Sequence, residues 1–288
     1  MNIGVVANPG REAVRAPLLV LIKWAERNGC SVYLQRKLKK LLSDHAGNTV
    51  NSLESERELP ENADILVSIG GDGTILWTSR LITSREIPIL GVNCGRMGFL
   101  ADIHENQLET ALDATLKGSF HLDERYMLST TMDDGTNFYA LNEFLFARAG
   151  QASMVTLVAE YDGILINKYW ADGLIVSTPT GSTAYSLSSG GPIVMPQTNV
   201  VILTPINPHT LTTRPLVLPA DRNLKIIVDP PDQEILFSND GSESAIDPNV
   251  KEFIIKRTQF TVKLIKLDTH NYFQTLRTKL MWGMDFRE

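Results

Sequence analysis

Between residues 64 and 82 the chain changes periodicity across a run of glycines, and this change excludes most folds. Residues 64–69 are largely apolar, with Ile65, Leu66 and Val67 consecutive and Ile69 following, the pattern of a central strand covered on both faces of a parallel sheet. The run enters Gly70-Gly71-Asp72-Gly73-Thr74, and residues 74–82 then take helical spacing. A strand, a tight turn and a helix in that order form one unit of an alternating β/α layer structure. The flanks repeat the unit. Residues 3–7 are a short apolar run ending at Asn8-Pro9, 13–27 carry helical spacing ending at Asn28-Gly29, and 32–34 are a brief strand candidate. Residues 87–92 read as another buried strand, and 105–117 as a helix ending at Gly118. Residues 43–62 are polar and irregular, and read as a mobile surface loop.

From about residue 120 the pattern becomes β-rich. Residues 128–132, 138–146 and 154–161 read as strands. Asp162-Gly163 marks a hairpin, because both residues tolerate positive φ, and 164–170 is the returning strand. Segments 200–204, 224–228, 235–238, 253–256 and 260–267 continue as strands, and 272–282 returns to helical spacing. The expected architecture is an α/β N-terminal domain with a parallel sheet (1–122) and a β-sandwich-like C-terminal domain (123–268). A C-terminal helix (269–288) is expected to pack back on the first domain.

With 288 residues, 43% hydrophobic and 21% charged, the chain has material for two globular cores. Its net charge of -6 argues against a general nucleic-acid binder. An anionic small ligand is still compatible, since backbone amides and a metal ion supply local positive potential. Cys30 and Cys94 are too few for a disulfide scaffold or a cysteine-built zinc site, and read as free thiols in a reducing compartment. The N-terminal residues lack the features of a signal peptide, and no apolar run approaches the ~20 residues of a membrane span. A cytoplasmic protein with no membrane or nucleic-acid partner is expected.

Two segments carry the candidate chemistry. In the first, Gly70 and Gly71 permit a sharp turn and Gly73 permits close ligand approach, while the following helix N-terminus favours anions such as a di- or triphosphate. Asp72 within that cradle reads as a helix cap, as an acceptor for the proton of an attacking hydroxyl, or as a group that helps to hold a metal. The loop after residue 92, with Asn93, Gly95, Arg96 and Gly98, belongs beside it, because loops at the C-terminal ends of parallel strands gather at one crevice. Arg96 there is either a phosphate contact or an exposed turn residue.

The second segment leads from Asp172-Gly173 through an apolar run to Pro179-Thr180-Gly181-Ser182-Thr183-Ala184-Tyr185-Ser186. Its hydroxyls beside glycine suit a turn around a polar ligand, with Tyr185 able to stack on a base, and Gly190-Gly191 implies close backbone approach. Asn142-Glu143 interrupts an apolar strand; periodicity alone favours ordinary polar decoration, and a nucleotide-edge contact is the other reading. His209, in a proline-framed turn, reads as structural. There is no GKS or GKT phosphate loop and no nucleophile elbow. Together the two segments suggest a kinase whose acceptor is itself a nucleotide.

Gly70-Gly71-Asp72-Gly73-Thr74, residues 93–100, Leu141-Asn142-Glu143, residues 172–188 and Pro208-His209-Thr210 together resemble the bacterial NAD kinase family over nearly the whole chain. The resemblance implies transfer of the ATP γ-phosphoryl to the 2′-hydroxyl of the adenosine ribose of NAD, with a divalent metal ion, Mg²⁺, carried by ATP. It implies Asp72 as catalytic proton acceptor, and NAD contacts from Asp72, Gly73, Asn142, Glu143, Ser153, Trp170, Asp172, Thr183, Ala184, Tyr185, Ser186, Leu187 and Ser188. A homodimer or homotetramer is implied as well. Four positions depart from the family pattern. Trp77 and Trp170 stand where many members carry a basic side chain, Ser153 where some place histidine or arginine, and Ser242 where some have glutamine. Lipid and sugar kinases sharing the GGDGT run, and a dinucleotide-binding sensor without catalysis, are the competing readings.

Overall fold

The computed structural model describes residues 1–45, 49–82, 85–95, 98–150, 153–244, 246–247, 249–267 and 271–281, and of residues 43–45 the backbone alone. The chain forms two compact units, one of Met1–Glu124 with the chain from Val262 onward, the other of Arg125–Thr261.

The first unit opens with β1 (Asn2–Ala7), α1 (Arg15–Asn28), β2 (Ser31–Gln35), α2 (Arg36–Lys39), β3 (Val50–Leu53) and α3 (Leu59–Asn62). It continues with β4 (Ile65–Gly70), α4 (Asp72–Leu81), β5 (Ile89–Asn93), β6 (Ile103–His104) and α5 (Leu108–Leu116). The strands lie parallel in the order β3-β2-β1-β4-β5, with β6 also on β5. All six residues of β4 and all five of β5 are buried, which is why both read as largely apolar runs. Helix α1 buries Leu18, Leu21, Ile22 and Ala25 and stops at Gly29, whose φ of 65° is the usual left-handed end. Trp24 on the same helix donates from Nε1 to Asp113 Oδ1 of α5 at 2.7 Å.

Of residues 43–62, expected as an irregular loop, 46–48 lie outside the described residues, and the rest include the end of a 3-10 helix (Lys40–His45), β3 and two short helical turns over Glu56–Glu58 and Leu59–Asn62. β3 is an outermost strand with only Val50 buried and Asn51 and Ser52 exposed, so it lacks the apolar run that marks the inner strands.

The second unit takes β7 (His121–Thr131) from Arg125 onward, then β8 (Asn137–Ala140), β9 (Glu143–Arg148), β10 (Val155–Tyr161), β11 (Ile164–Ala171), β12 (Gly173–Ser177) and α6 (Tyr185–Ser188). β13 (Val200–Ile206), β14 (Leu216–Pro219), β15 (Leu224–Val228), β16 (Ile235–Asn239), β17 (Ser242–Glu243) and β18 (Glu252–Lys266) follow. Two sheets result, β11-β10-β15-β18-β7-β8 and β14-β13-β12-β9-β16-β17. They form a sandwich whose core includes Leu157, Ile226 and Phe253 from one sheet and Phe146, Leu174 and Phe237 from the other. The Phe253 ring sits 4.9 Å from Phe146 and 5.3 Å from Phe237, within the range of favourable aromatic pairs. The hairpin at Asp162-Gly163 forms as read, with φ of 54° and 79°.

Two strand assignments change. Residues 138–146 are two strands, β8 and β9, broken at Leu141-Asn142, and the segments 253–256 and 260–267 are the single strand β18. The last residues of β18 and helix α7 (Tyr272–Leu280) belong to the first unit, where Leu264 pairs in parallel with Ile89. α7 is capped by Asn271, whose side chain accepts from the N–H groups of Phe273 and Gln274.

Candidate active site

In the first unit the C-terminal ends of β4 and β5 are adjacent, with Gly70 opposite Asn93, so the loops leaving them meet. Asp72 is the first residue of α4, after Gly71 at the N-cap, and makes no side-chain cap. The capping reading therefore falls. Its carboxylate instead crosses to the neighbouring loop. Oδ2 accepts from the Phe99 N–H (2.8 Å), and Oδ1 accepts from Leu100 (2.9 Å) and Ala101 (3.1 Å). Gly98 packs so closely on this carboxylate that a Cβ there would overlap it. A carboxylate offers about four lone-pair positions, so three accepted bonds leave roughly one free, on Oδ2. Asp72 thus braces the loop and retains capacity for one more proton donor.

Gly73 is exposed at the start of α4, in the turn whose first amides lack intrahelical partners. Arg96 lies outside the described residues. Burial, with the charge of Glu105, pushes the Cys94 thiol up to about 11 and keeps it protonated at neutral pH. Among the described residues no group of three or more His, Cys, Asp or Glu forms a metal cluster.

The second unit gathers Asn142, Glu143 and the 178–188 turn at one end of the sheet containing β12. β9 and β12 pair with Glu143 opposite Ser177. The break at Leu141-Asn142 is built by Asp240, whose carboxylate accepts from the N–H groups of Leu141 (2.9 Å), Asn142 (2.7 Å) and Glu143 (3.2 Å). On the other side Thr178 donates from its N–H to Asn142 O (2.8 Å) and from Oγ1 to Leu141 O (2.6 Å). A Cβ on Gly181 would overlap the Asn142 carbonyl, so that position needs its glycine. The two segments are locked together.

Glu143 is only 7% exposed, and its Oε2 finds no partner among the described residues. Burial and the nearby charge of Asp240 raise its carboxyl to about 8. At neutral pH it is mainly a neutral acid, with an O–H to donate as well as an oxygen to accept. Within the turn, Ser182 Oγ donates to Pro179 O (2.6 Å) and accepts from the Val194 N–H (3.1 Å). Ser186 Oγ shares a 2.8 Å bond with Thr204 Oγ1, and Gly191 packs against the Ser186 hydroxyl. These buried hydroxyls hold the turn itself, whereas Tyr185 and Ser188 are exposed and Thr183, Ala184 and Leu187 are half-buried. Arg125, 3% exposed, supports the turn from below by donating from Nη1 to Thr180 Oγ1 at 3.1 Å.

Asp172, Trp170 and Ser153 are not in this group. Asp172 precedes β12, so the length of that strand, roughly 17–20 Å, separates it from the 178–188 turn. There its Oδ1 meets Arg148 Nε at 3.1 Å and its Oδ2 accepts from Asn207 Nδ2 at 3.0 Å. Trp170 lies against His209, ring centroids 4.2 Å apart, and its carbonyl accepts from the His209 N–H. Ser153 is exposed just before β10, whose Val155 pairs with Ala171. The sandwich therefore carries two separate groups of the residues singled out in the sequence.

Residues 3–120 match the ATP-NAD kinase N-terminal domain family, and residues 141–267 match the ATP-NAD kinase C-terminal domain family. The chain belongs to the NAD kinase family. A curated NAD kinase of Flavobacterium psychrophilum is 36% identical over 100% of both chains. One from Cytophaga hutchinsonii is 42% identical over 78% of this chain and 77% of its own. The crystal structure of yeast NADH kinase complexed with NADH superposes with a TM-score of 0.90 at 24% identity, covering 100% of this chain and 89% of that one, a likeness of fold. Lipid and sugar kinases, which share only the short glycine run, are set aside by matches spanning both units.

Of the positions where this chain departs from the family pattern, Trp77 is half exposed and donates from Nε1 to Glu56 Oε2 at 2.7 Å, and Ser242 is exposed in β17. Asp240 and Arg125 were not singled out from the sequence. Asp240-Gly241 is recognisable as a turn, but its hydrogen-bond partners lie 97 to 99 residues away and leave no local mark.

Proposed function

We propose that this chain transfers the γ-phosphoryl group of ATP to the 2′-hydroxyl of the adenosine ribose of NAD, giving NADP and ADP. The observation that carries the reading is the Asp72 carboxylate: anchored by three backbone N–H groups at the mouth of a glycine-rich turn, with an acceptor position left for a substrate hydroxyl. Phosphoryl transfer asks a protein mainly for in-line positioning and charge neutralisation. Asp72 orients and deprotonates the ribose hydroxyl as it attacks phosphorus, the P–O bond to ADP breaking as the new one forms. Mg²⁺ would come with ATP as part of the donor and would supply charge neutralisation at the transferring phosphoryl group.

Gly73 lets the backbone approach the nucleotide, while Asn142, Glu143 and Thr183, Ala184, Tyr185, Ser186, Leu187 and Ser188 form the NAD-binding end of the sandwich. In this reading Glu143 donates its O–H to a ligand oxygen, and Tyr185 offers a ring face. Trp170, Asp172 and Ser153 remain NAD contacts, and act from the opposite end of the sheet. The protein works in the cytoplasm as a homo-oligomer; Ile164 and Leu165, 70% and 63% exposed on β11, supply apolar surface for association.

The test is NADP formation from NAD, ATP and Mg²⁺, coupled to an NADP-specific dehydrogenase. Product is the expected result. Its absence from folded protein, with polyphosphate also tried as donor, would overturn the reading, and tight NAD binding without product would mark a sensor.

A further inference from the structure

Lys266, at the end of β18, is 1% exposed. A buried ammonium is costly unless it is paired and hydrogen-bonded. Here its Nζ lies 2.9 Å from Asp102 Oδ1, on a side chain only 8% exposed, and donates to the Leu100 carbonyl at 3.1 Å. That carbonyl belongs to the same peptide group as the Ala101 N–H, which donates to Asp72 Oδ1 at 3.1 Å. In a planar trans peptide the C=O and N–H point opposite ways. The peptide joining Leu100 to Ala101 therefore lies between an ammonium on its oxygen side and the Asp72 carboxylate on its hydrogen side. An ammonium draws density toward the carbonyl oxygen, which makes the N–H a stronger donor, and linked bonds of this kind reinforce one another where water is excluded. The next carbonyl, Ala101 O, is held by Asn93 Nδ2 (3.3 Å) and by the Gly98 N–H (3.2 Å).

The proposed transfer makes no direct use of Lys266 or Asp102, and an apolar pair of similar volume is often neutral or stabilising in place of a buried ion pair. We infer that Lys266 is a positioning residue for phosphoryl transfer: backed by Asp102, it clamps the Leu100–Ala101 peptide and so fixes the Asp72 carboxylate for the acceptor hydroxyl. The inference rests on the reading of Asp72 as proton acceptor.

The double variant Lys266→Met/Asp102→Leu removes both charges and leaves no ion unpaired, while Lys266→Gln keeps a donor for the Leu100 carbonyl. Three quantities are read: thermal melting, amide hydrogen exchange at residues 99–101, and kcat with KM for NAD. The double variant is expected to melt near wild type, to exchange faster at those amides, and to lose kcat about 10- to 100-fold with KM little changed, as a displaced catalytic group does. Lys266→Gln is expected to recover part of both losses. A folded double variant with wild-type exchange, or with wild-type kcat, overturns the inference. Should the double variant not fold, Lys266→Gln is held to the same standard, with smaller losses of the same two quantities expected and wild-type values overturning the inference. If wild type makes no NADP, the kinase reading fails, and amide exchange still decides whether Lys266 clamps the peptide.

Discussion

Replacing Asp72 by asparagine separates the bracing role seen in its hydrogen bonds from the base role proposed for it. The carboxylate accepts three backbone bonds, two on Oδ1 and one on Oδ2. An amide keeps one oxygen. Its better orientation leaves that oxygen on Leu100 and Ala101 and turns the NH₂ toward the Phe99 N–H, two donors face to face. A donor left without its acceptor in a largely buried place costs about 1–3 kcal/mol. The variant should therefore fold and melt a few degrees lower. Turnover should fall much further, roughly 10²–10⁴-fold, because a ribose hydroxyl at neutral pH needs a base. The check is a melting curve, an NAD titration by calorimetry and the coupled assay on the same preparation. Asp72→Ala, which loses all three bonds, should melt lower again but turn over no worse than the asparagine variant. If turnover instead followed melting temperature across the two variants, the side chain would be a brace alone. Turnover within tenfold of wild type in Asp72→Asn would refute the base assignment, and an unchanged melting curve would refute the brace.

Three further outcomes are expected. Gly98→Ala places a methyl group on the Asp72 carboxylate; overpacking of this kind costs about 1–3 kcal/mol, and turnover should drop at least about tenfold with circular dichroism retained, whereas wild-type kinetics would mean that the loop yields without consequence. For Glu143 the sign follows from proton counts: its carboxyl titrates at about 8 in the folded protein against 4.5 ordinarily, so between those values the folded state binds more protons and stability falls as pH rises. Glu143→Gln removes that fall and should gain on wild type in melts taken from about pH 5 to about pH 9; parallel curves would contradict the raised value. Cys94, raised to about 11, should resist iodoacetamide at about pH 8 while a free thiol reacts readily, and rapid labelling of the native protein at that residue would contradict the raised value.

What the sequence disclosed and what it withheld divide along a physical line. β4 and β5 were legible because burial on both faces demands consecutive apolar residues, and the hairpin at Asp162-Gly163 because positive φ restricts residue type. β3 was not legible, since an outer strand with one buried residue needs no pattern. β18 read as two strands because its middle, 257–259, is polar, with Arg257 and Gln259 exposed, so the strand continues there without an apolar signal. The same division runs through the candidate site. Gly98 and Gly181 stand in the two loops read as facing a ligand, but what comes close to them is the Asp72 carboxylate in one case and the Asn142 carbonyl in the other. Glycine records the absence of a side chain and carries no trace of its neighbour.

The groups that orient the site, Asp240 on the Asn142 backbone and Lys266 on the Leu100–Ala101 peptide, act on main-chain atoms that every sequence supplies. Any residue at 100 or 101 other than proline would present nearly the same peptide, so nothing in the side chains of that loop points to Lys266. A motif such as Gly70-Gly71-Asp72-Gly73 therefore marks the proposed base without the apparatus that aims it. That apparatus is readable only where the fold brings a buried charge to a backbone more than 160 residues away, as Lys266 is brought to Leu100, 166 positions earlier in the chain.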